Sequence, residues 1–191
     1  MLGNDKSSFF GGKVMLGKVL VANRGEIAIR ISKTASDMGV QTVSVFSDDD
    51  HQSLHTRHCE SAISLGQNGV AAYLNGENII QIAKETDCDA IHPGYGFLSE
   101  SADFAEKCAS ADIVFVGPTA DTLRQFGDKA QARNLAVSSN VPILKGTNQQ
   151  TSLEEAESFF LSLGQGASIM LKALSGGGGR GMRPVRRVED L

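Results

Sequence analysis

Hydrophobic positions along the chain alternate between the spacing of buried strands and that of amphipathic helices. Residues 18–22 (KVLVA) form a short apolar run, and a second apolar run follows at 42–46 (TVSVF). The segment between them, 25–38, has apolar side chains at helical spacing: Ile27, Ile31, Ala35 and Met38. A strand, a helix and a strand in this order predict a βαβ unit.

The same alternation continues towards the middle of the chain. The pattern predicts further strands at 61–65, 89–92 and 113–116, and helices at 77–86 and 99–109. Alternating elements of this kind are typical of an α/β fold with a doubly wound, mostly parallel sheet covered by helices on both faces. Ligands of such folds bind at the carboxyl ends of the strands.

Beyond Thr119 the regular alternation of predicted strands and helices ends, so we expect a domain boundary near residues 120–140. A helical stretch broken near Gly127 runs to about Ser139, and residues 141–144 are predicted to be extended. Thr151 and Ser152 are predicted to open a helix with Glu154 and Glu155 as capping-box partners. The expected buried stripe of that helix is Leu153, Ala156, Phe159, Phe160 and Leu163.

The last part of the chain is predicted to be a strand, a glycine-rich loop and a strand. The loop contains Gly176, Gly177, Gly178, Gly179 and Gly181. Bare amides in such a loop can fold over phosphate oxygens, and alternation places Lys172 on the opposite face from Leu171, where its ammonium group can neutralise phosphate charge. No Walker A sequence is present, and a mobile hairpin with a solvated lysine is the alternative.

Composition and charge exclude several classes of protein. The 191 residues include 18 Lys+Arg and 22 Asp+Glu, a net charge of −4, which argues against nucleic-acid binding. No apolar run reaches the roughly 20 residues of a membrane-spanning helix. Three cysteines without a CxxC pair favour a reducing compartment over a disulfide framework. Residues 1–17 are interpreted as a flexible leader.

Two loops at strand ends are candidates for function, and each has a simpler interpretation. Residues 23–26 (NRGE) lack the GxGxxG pattern of a dinucleotide site, so a structural turn is favoured, and Glu26 is placed to pair with Arg30. The glycines around Tyr95 are equally typical of a sharp turn and of a ligand loop. His51, His55 and His58 beside Cys59 are interpreted as surface residues, and no metal site is predicted.

Four motifs resemble those of the biotin carboxylase family of ATP-grasp ligases. They are residues 21–27 (VANRGEI), 92–100 (HPGYGFLSE), 127–130 (GDKA) and 172–182 (KALSGGGGRGM), in the order of the family. The resemblance covers residues 18–191. It implies a Rossmann-like domain that precedes the ATP-grasp domain, at 18–130, followed by the start of the ATP-grasp domain, at 131–191, which we expect to be incomplete.

The resemblance also implies roles for individual residues. Lys129, Lys172 and Met182 are the expected ATP contacts, together with the lid glycines Gly176, Gly177, Gly178, Gly179 and Gly181. Tyr95 and Gly96 are expected on the biotin side. No catalytic residue is assigned within the 191 residues.

The implied reaction is the carboxylation of biotin with ATP and bicarbonate, in a biotin-dependent carboxylase of the acyl-CoA, pyruvate or urea type. The resemblance implies that the Mg²⁺ ligands lie beyond residue 191, so this segment is expected to be inactive by itself. Expected partners are a biotin carboxyl carrier and a second copy of the biotin carboxylase domain, in the cytoplasm or the mitochondrial matrix. Pro184, which the family lacks, predicts an edge or irregular strand.

Three other functions remain as alternatives. A carbamoyl-phosphate-type ligase shares the preceding α/β domain, but residues 92–100 argue against it. A non-catalytic nucleotide-binding or assembly module is compatible with a segment that lacks part of the active site. A dehydrogenase is the weakest alternative, because the sequence has no GxGxxG motif.

Overall fold

The computed structural model describes residues 16–147, 149–173 and 181–191 of the chain. They form two compact units, one that ends at Ala120 and one from Asp121 to Leu191. None of the helices in the described ranges is long and apolar enough to cross a lipid bilayer.

The first unit is built on a five-stranded parallel sheet with the strand order β3-β2-β1-β4-β5. Its strands are β1 (Lys18–Val21), β2 (Gln41–Phe46), β3 (Ser61–Ser64), β4 (Ala90–His92) and β5 (Val114–Phe115). Its helices are α1 (Gly25–Asp37), α2 (Gly76–Glu85) and α3 (Ala102–Ser110). This arrangement confirms the predicted α/β fold class.

The strand order reverses direction between β1 and β4. From β1 the chain proceeds outwards through β2 and β3, and it then crosses back to β4 and β5 on the other side of β1. Because crossovers between parallel strands are right-handed, this reversal puts α1 on one face and α2 and α3 on the other. The carboxyl ends of β1 and β4 therefore flank the crevice where ligands bind in doubly wound sheets.

Alternating strand residues fill the two faces of the sheet. Leu20, Val43 and Val45 belong to a buried cluster with residues of α2 and α3, including Ile79 and Phe104. Val19 and Val21, which point to the other face, are buried outside that cluster. Burial on both faces explains why these strands are continuous apolar runs in the sequence.

The described residues of the second unit include three α-helices and a two-stranded sheet. The helices are α4 (Ala120–Gly127), α5 (Lys129–Ser138) and α6 (Leu153–Ser162), and the antiparallel strands are β6 (Ile169–Lys172) and β7 (Met182–Val185). Asp128 caps α5 by accepting hydrogen bonds from the amides of Ala130 and Gln131. In a two-stranded sheet each strand is an edge, which agrees with Pro184 in β7.

Three local predictions differ from the structure. Helix α3 begins at Ala102 rather than Ser99, because Ser101 is the N-cap and accepts a hydrogen bond from the Phe104 amide. Residues 141–147 form neither a helix nor a strand. Leu153, predicted to be buried, is 61% exposed because it occupies the first position of α6, before the turn that buries Ala156.

Candidate functional site

The two loops that follow β1 and β4 are joined through the side chain of Asn23. Asn23 is 3% exposed, and its Nδ2 donates to the carbonyl oxygens of Pro93 at 2.7 Å and Tyr95 at 2.9 Å. Its Oδ1 accepts a hydrogen bond from the Arg24 amide at 2.9 Å. The predicted turn at residues 23–26 is therefore hydrogen-bonded, through the Asn23 side chain, to the predicted biotin-side loop.

Gly94 is required by this contact. Its φ is +67°, and a Cβ atom at this position would lie 2.6 Å from the Nδ2 atom of Asn23. The Gly94 amide donates to Nδ1 of His92 at 3.0 Å, which assigns the ring proton to Nε2. Burial lowers the pKa of His92, so its imidazole remains neutral at pH 7.

Tyr95 and Gly96, the predicted biotin-side residues, lie at this edge of the sheet. Tyr95 is 62% exposed, and its hydroxyl donates to Oε1 of Glu26 at 2.7 Å. That hydrogen bond to the carboxylate raises the pKa of Tyr95. Among the ion pairs of the described residues there is no Glu26–Arg30 pair, so the predicted local pairing gives way to a contact with the loop after β4.

A cluster around Arg24 was not found by sequence reasoning. The Nη1 atom of Arg24 lies 3.0 Å from Oδ2 of Asp50, and its Cζ atom lies 5.6 Å from the ring centroid of Tyr73 and 5.9 Å from that of Phe97. The Tyr73 hydroxyl also donates to Asp50. The signal in the sequence was weak: an acidic run, residues 48–50, directly after β2.

The charge on Asp50 is stabilised within this cluster. Burial by itself raises the pKa of Asp50, but hydrogen bonds from Arg24, Ser53 and Tyr73 outweigh burial, so the pKa lies below its ordinary value. The hydrogen bond to Asp50 likewise raises the pKa of Arg24. Both groups are therefore ionised at neutral pH, and the cation–carboxylate pair persists.

The predicted ATP contacts lie in the second unit. Lys172 of β6 is paired with Met182 of β7, and directly opposite residues of an antiparallel pair share one face of the sheet. Lys172 is exposed and Met182 is 45% exposed. The exposed face of the hairpin therefore has an ammonium group beside a thioether, a pair that suits phosphate charge and an apolar base.

The backbone pairing of the hairpin continues one residue beyond β6 and β7. The Ala173 amide donates to the Gly181 carbonyl oxygen at 2.8 Å, and Gly181 has a φ of +72°. A Cβ atom at Gly181 would lie 2.7 Å from that of Ala173, so only glycine fits here. The predicted lid residues Gly176, Gly177, Gly178 and Gly179 lie outside the described residues.

Lys129 is the first residue of α5, directly after the Asp128 cap. The backbone hydrogen bonds to Gln131 and Ala130 lower the pKa of Asp128 and fix the start of the helix. The backbone of Lys129 therefore lies at a well-defined helix end.

The described residues contain no group of three or more His, Cys, Asp or Glu side chains placed to hold a metal ion. His55 was predicted to be a surface residue, but it is 1% exposed. Its Nε2 lies 3.2 Å from the Val45 carbonyl oxygen, because the turn at 54–57 packs against β2. Cys59, Cys88 and Cys108 are free thiols.

Two family profiles match the chain in succession. Residues 15–123, more than half of the chain, match the family described as "Biotin carboxylase, N-terminal domain". Residues 128–191 match "Carbamoyl-phosphate synthase L chain, ATP binding domain".

Curated relatives include pyruvate carboxylases. The mitochondrial pyruvate carboxylase of Homo sapiens is 46% identical over 177 residues, and the pyruvate carboxylase of Aspergillus terreus is 49% identical over 178 residues. Each match covers 91% of this chain and 15% of the relative. The chain thus spans about 15% of the length of these relatives.

Solved structures with a similar fold include two biotin carboxylases with nucleotides. The biotin carboxylase domain dimer of Hydrogenobacter thermophilus 2-oxoglutarate carboxylase, in complex with MgADP, ADP and bicarbonate, has a TM-score of 0.86 and 38% identity. That match covers 92% of this chain and 39% of the solved one. The Campylobacter jejuni biotin carboxylase in complex with β-γ-ATP has a TM-score of 0.87 and 37% identity, covering 93% and 40% of the two chains.

Proposed function

The chain belongs to the biotin carboxylase family, and on that premise we propose that it forms the amino-terminal part of an enzyme that carboxylates biotin with ATP and bicarbonate. The observation that carries the proposal is the pairing of Lys172 with Met182 on the exposed face of the β6–β7 hairpin. This hairpin flanks the glycine-rich segment at residues 174–180. Solved relatives of the same fold contain ADP, MgADP and bicarbonate, which supports a nucleotide site.

The chemistry proposed for these residues follows from the charge of the nucleotide. Phosphoryl transfer is catalysed mainly by positioning and by neutralising charge on the phosphate oxygens. Lys172 and Lys129 supply cations, and Met182 supplies an apolar surface for the adenine ring. The bare amides of Gly176–Gly179 would complete the enclosure, and exclusion of water would protect the activated bicarbonate.

The remaining parts of the site are assigned on the same premise. We assign residues 18–130 to the domain that precedes the ATP-grasp domain and residues 131–191 to the start of the ATP-grasp domain. On the family resemblance alone, the Mg²⁺ ligands are assigned to positions beyond residue 191. Tyr95 and Gly96 are assigned to the biotin side, at the strand ends where the loops converge.

For the complete protein, the proposal also covers its partners, the acceptor of the carboxyl group and the cellular compartment. A biotin carboxyl carrier domain delivers the biotin, and biotin carboxylase domains pair as dimers, the state in the Hydrogenobacter thermophilus structure. Pyruvate is the favoured acceptor, because the curated relatives are pyruvate carboxylases. The compartment is the cytoplasm or, as the name of the human relative suggests, the mitochondrion.

Biotin-dependent release of ADP by the complete protein tests this function. Wild-type protein is expected to release ADP when ATP, Mg²⁺, bicarbonate and free biotin are all present. Lys172→Ala should lower kcat by about a hundredfold, because a cation that stabilises transition-state charge is lost. Lys172→Arg should retain part of the activity.

Lys84→Ala is the matched control, since Lys84 is an exposed lysine on α2. Its kcat should stay within about twofold of the wild-type value. Unchanged turnover in Lys172→Ala would remove Lys172 from the mechanism. ADP release that does not depend on biotin would instead favour the carbamoyl-phosphate type of ligase.

A further inference from the structure

Phe97 has a backbone conformation that is unusual for a bulky residue. Its φ is +43°, and it follows two glycines, Gly94 and Gly96, that also have positive φ values. Left-handed backbone is unfavourable for a residue with a Cβ atom, so it persists only where the surroundings fix it. The loop after β4 is therefore held in its shape by contacts outside its own backbone.

Those contacts are aromatic and cationic. The Phe97 ring stacks on Tyr73 with a centroid separation of 5.1 Å and an interplanar angle of 14°. The Arg24 guanidinium lies beside both rings, at 5.9 Å from the centroid of Phe97 and 5.6 Å from that of Tyr73. A planar cation at these distances is attracted to both aromatic rings.

Arg24 is itself fixed by Asp50. The carboxylate accepts hydrogen bonds from Arg24 at 3.0 Å, from the Tyr73 hydroxyl at 3.2 Å and from the Ser53 hydroxyl at 3.0 Å. The four members of this Arg24 cluster, Arg24, Asp50, Tyr73 and Phe97, come from separate segments: the ends of β1 and β2, the turn before α2, and the loop after β4. Arg24 thus connects the switch point of the sheet to the strained residue of the loop.

We propose that Arg24 is a positioning residue that holds Phe97 in its left-handed conformation and thereby presents Tyr95 and Gly96 to the ureido ring of biotin. The proposal rests on the proposed function for its ligand. Arg24 acts through Phe97, and the carboxylate of Asp50 keeps the guanidinium in place. A loop that is ordered before the ligand arrives loses less conformational entropy on binding.

This role predicts a specific kinetic signature. A disordered loop would weaken the binding of biotin while the ATP site remains intact, so the KM for biotin should rise and the KM for ATP should not. In Arg24→Ala we expect a rise of about tenfold in the KM for biotin, with kcat at saturating biotin within about twofold of wild type. Arg24→Lys keeps a cation opposite Asp50 but lacks the planar face, so we expect a smaller rise.

Hydrogen exchange of the 191-residue chain tests the positioning without reference to activity. The Ser99 amide donates to the Gly96 carbonyl oxygen at 2.9 Å and so reports on the loop around Phe97. Its exchange should be about tenfold faster in Arg24→Ala. The Val116 amide, which donates to Ile91 in the sheet, should exchange at the wild-type rate.

Arg30→Ala, an exposed arginine on α1, is the matched control for both measurements and should change neither. Wild-type exchange at Ser99 in Arg24→Ala would overturn the proposal, and so would a loss of kcat at an unchanged KM for biotin. If Arg24→Ala fails to fold, Arg24→Lys carries the same tests with a smaller expected change. If the wild-type protein shows no biotin-dependent ADP release, the proposed function fails, while the exchange experiment still decides whether Arg24 positions the loop.

Discussion

Asn23 shows how much of the strand-end geometry depends on one buried amide. Its two donors and its acceptor are each occupied, by the carbonyl oxygens of Pro93 and Tyr95 and by the Arg24 amide. A buried amide that loses these partners leaves polar atoms unsatisfied, which is costly. The position of the loop after β4 is therefore fixed by a residue about 70 positions earlier in the chain.

Gly94→Ala tests this packing at the residue scale. The new methyl group would overlap Asn23 and would also force alanine into left-handed backbone, so we expect the free energy of unfolding to fall by about 2–3 kcal/mol. Because the chain has no tryptophan, urea unfolding should be followed by circular dichroism.

Gly66→Ala provides the matched control for that measurement. Gly66 has the same φ of +67°, but a Cβ atom there would meet nothing within 4 Å. Its substitution should lower the free energy of unfolding by only about 1 kcal/mol, the cost of left-handed backbone for alanine. Equal losses in the two variants would show that Asn23 imposes no steric requirement on Gly94.

At the scale of helices and strands, local signals predicted most elements of the sequence. The first βαβ unit begins and ends within one residue of its predicted bounds, because its apolar spacing and its flanking turn residues agree. The predicted start of α3 was wrong, because it depends on which residue caps the helix in the folded chain. The predicted burial of Leu153 was also wrong, because it depends on what packs against that position. Local pattern identifies an element better than it locates its end.

The capping box of α6 is an element-scale prediction that the structure confirms. The Ser152 hydroxyl accepts from the Glu155 amide, and the Glu155 carboxylate accepts from the Ser152 amide at 2.8 Å. Ser152→Ala should destabilise α6 by about 1 kcal/mol, because an amide of the first turn loses its partner. The Ala156 amide, which donates to the Ser152 carbonyl oxygen, should then exchange about fivefold faster with solvent.

Ser162→Ala in the last turn of the same helix is the control. Its hydroxyl donates to the Phe159 carbonyl oxygen on an exposed surface, so its loss should leave exchange at Ala156 unchanged. An equal effect of the two substitutions would mean that α6 is stabilised by packing and not by its cap.

At the scale of the whole molecule, the candidate site depends on contacts that no local pattern contains. The alternation of elements predicted the parallel sheet and hence a crevice at its carboxyl edge. It could not predict that Arg24, Asp50, Tyr73 and Phe97 meet there, because their sequence separations are large and each residue alone is unremarkable in its segment. The glycine-rich segment stays a prediction from local sequence, because the residues that suggest its chemistry lie in one stretch of the chain.

The buried His55 and the partly buried His92 give the first unit a dependence of stability on pH. Burial lowers the pKa of His55, although its contact with the Val45 carbonyl oxygen opposes the shift, and burial also lowers the pKa of His92. In the unfolded chain both groups titrate near their ordinary pKa of about 6.5. The unfolded state therefore binds more protons below that pH, and stability present above about 6.5 is lost as the pH falls through the lower pKa values of the folded state.

We expect the free energy of unfolding in urea, followed by circular dichroism, to be constant between pH 8 and 7 and to fall between pH 6.5 and 5. Carboxylates such as Asp50 contribute little in that window, because their lowered pKa values and their ordinary values of about 4 both lie below it. His55→Gln should reduce the slope of this fall, whereas His58→Gln at an exposed position should preserve it. The same slope in His55→Gln and wild type would show that the buried imidazole does not control the response of the fold to acid.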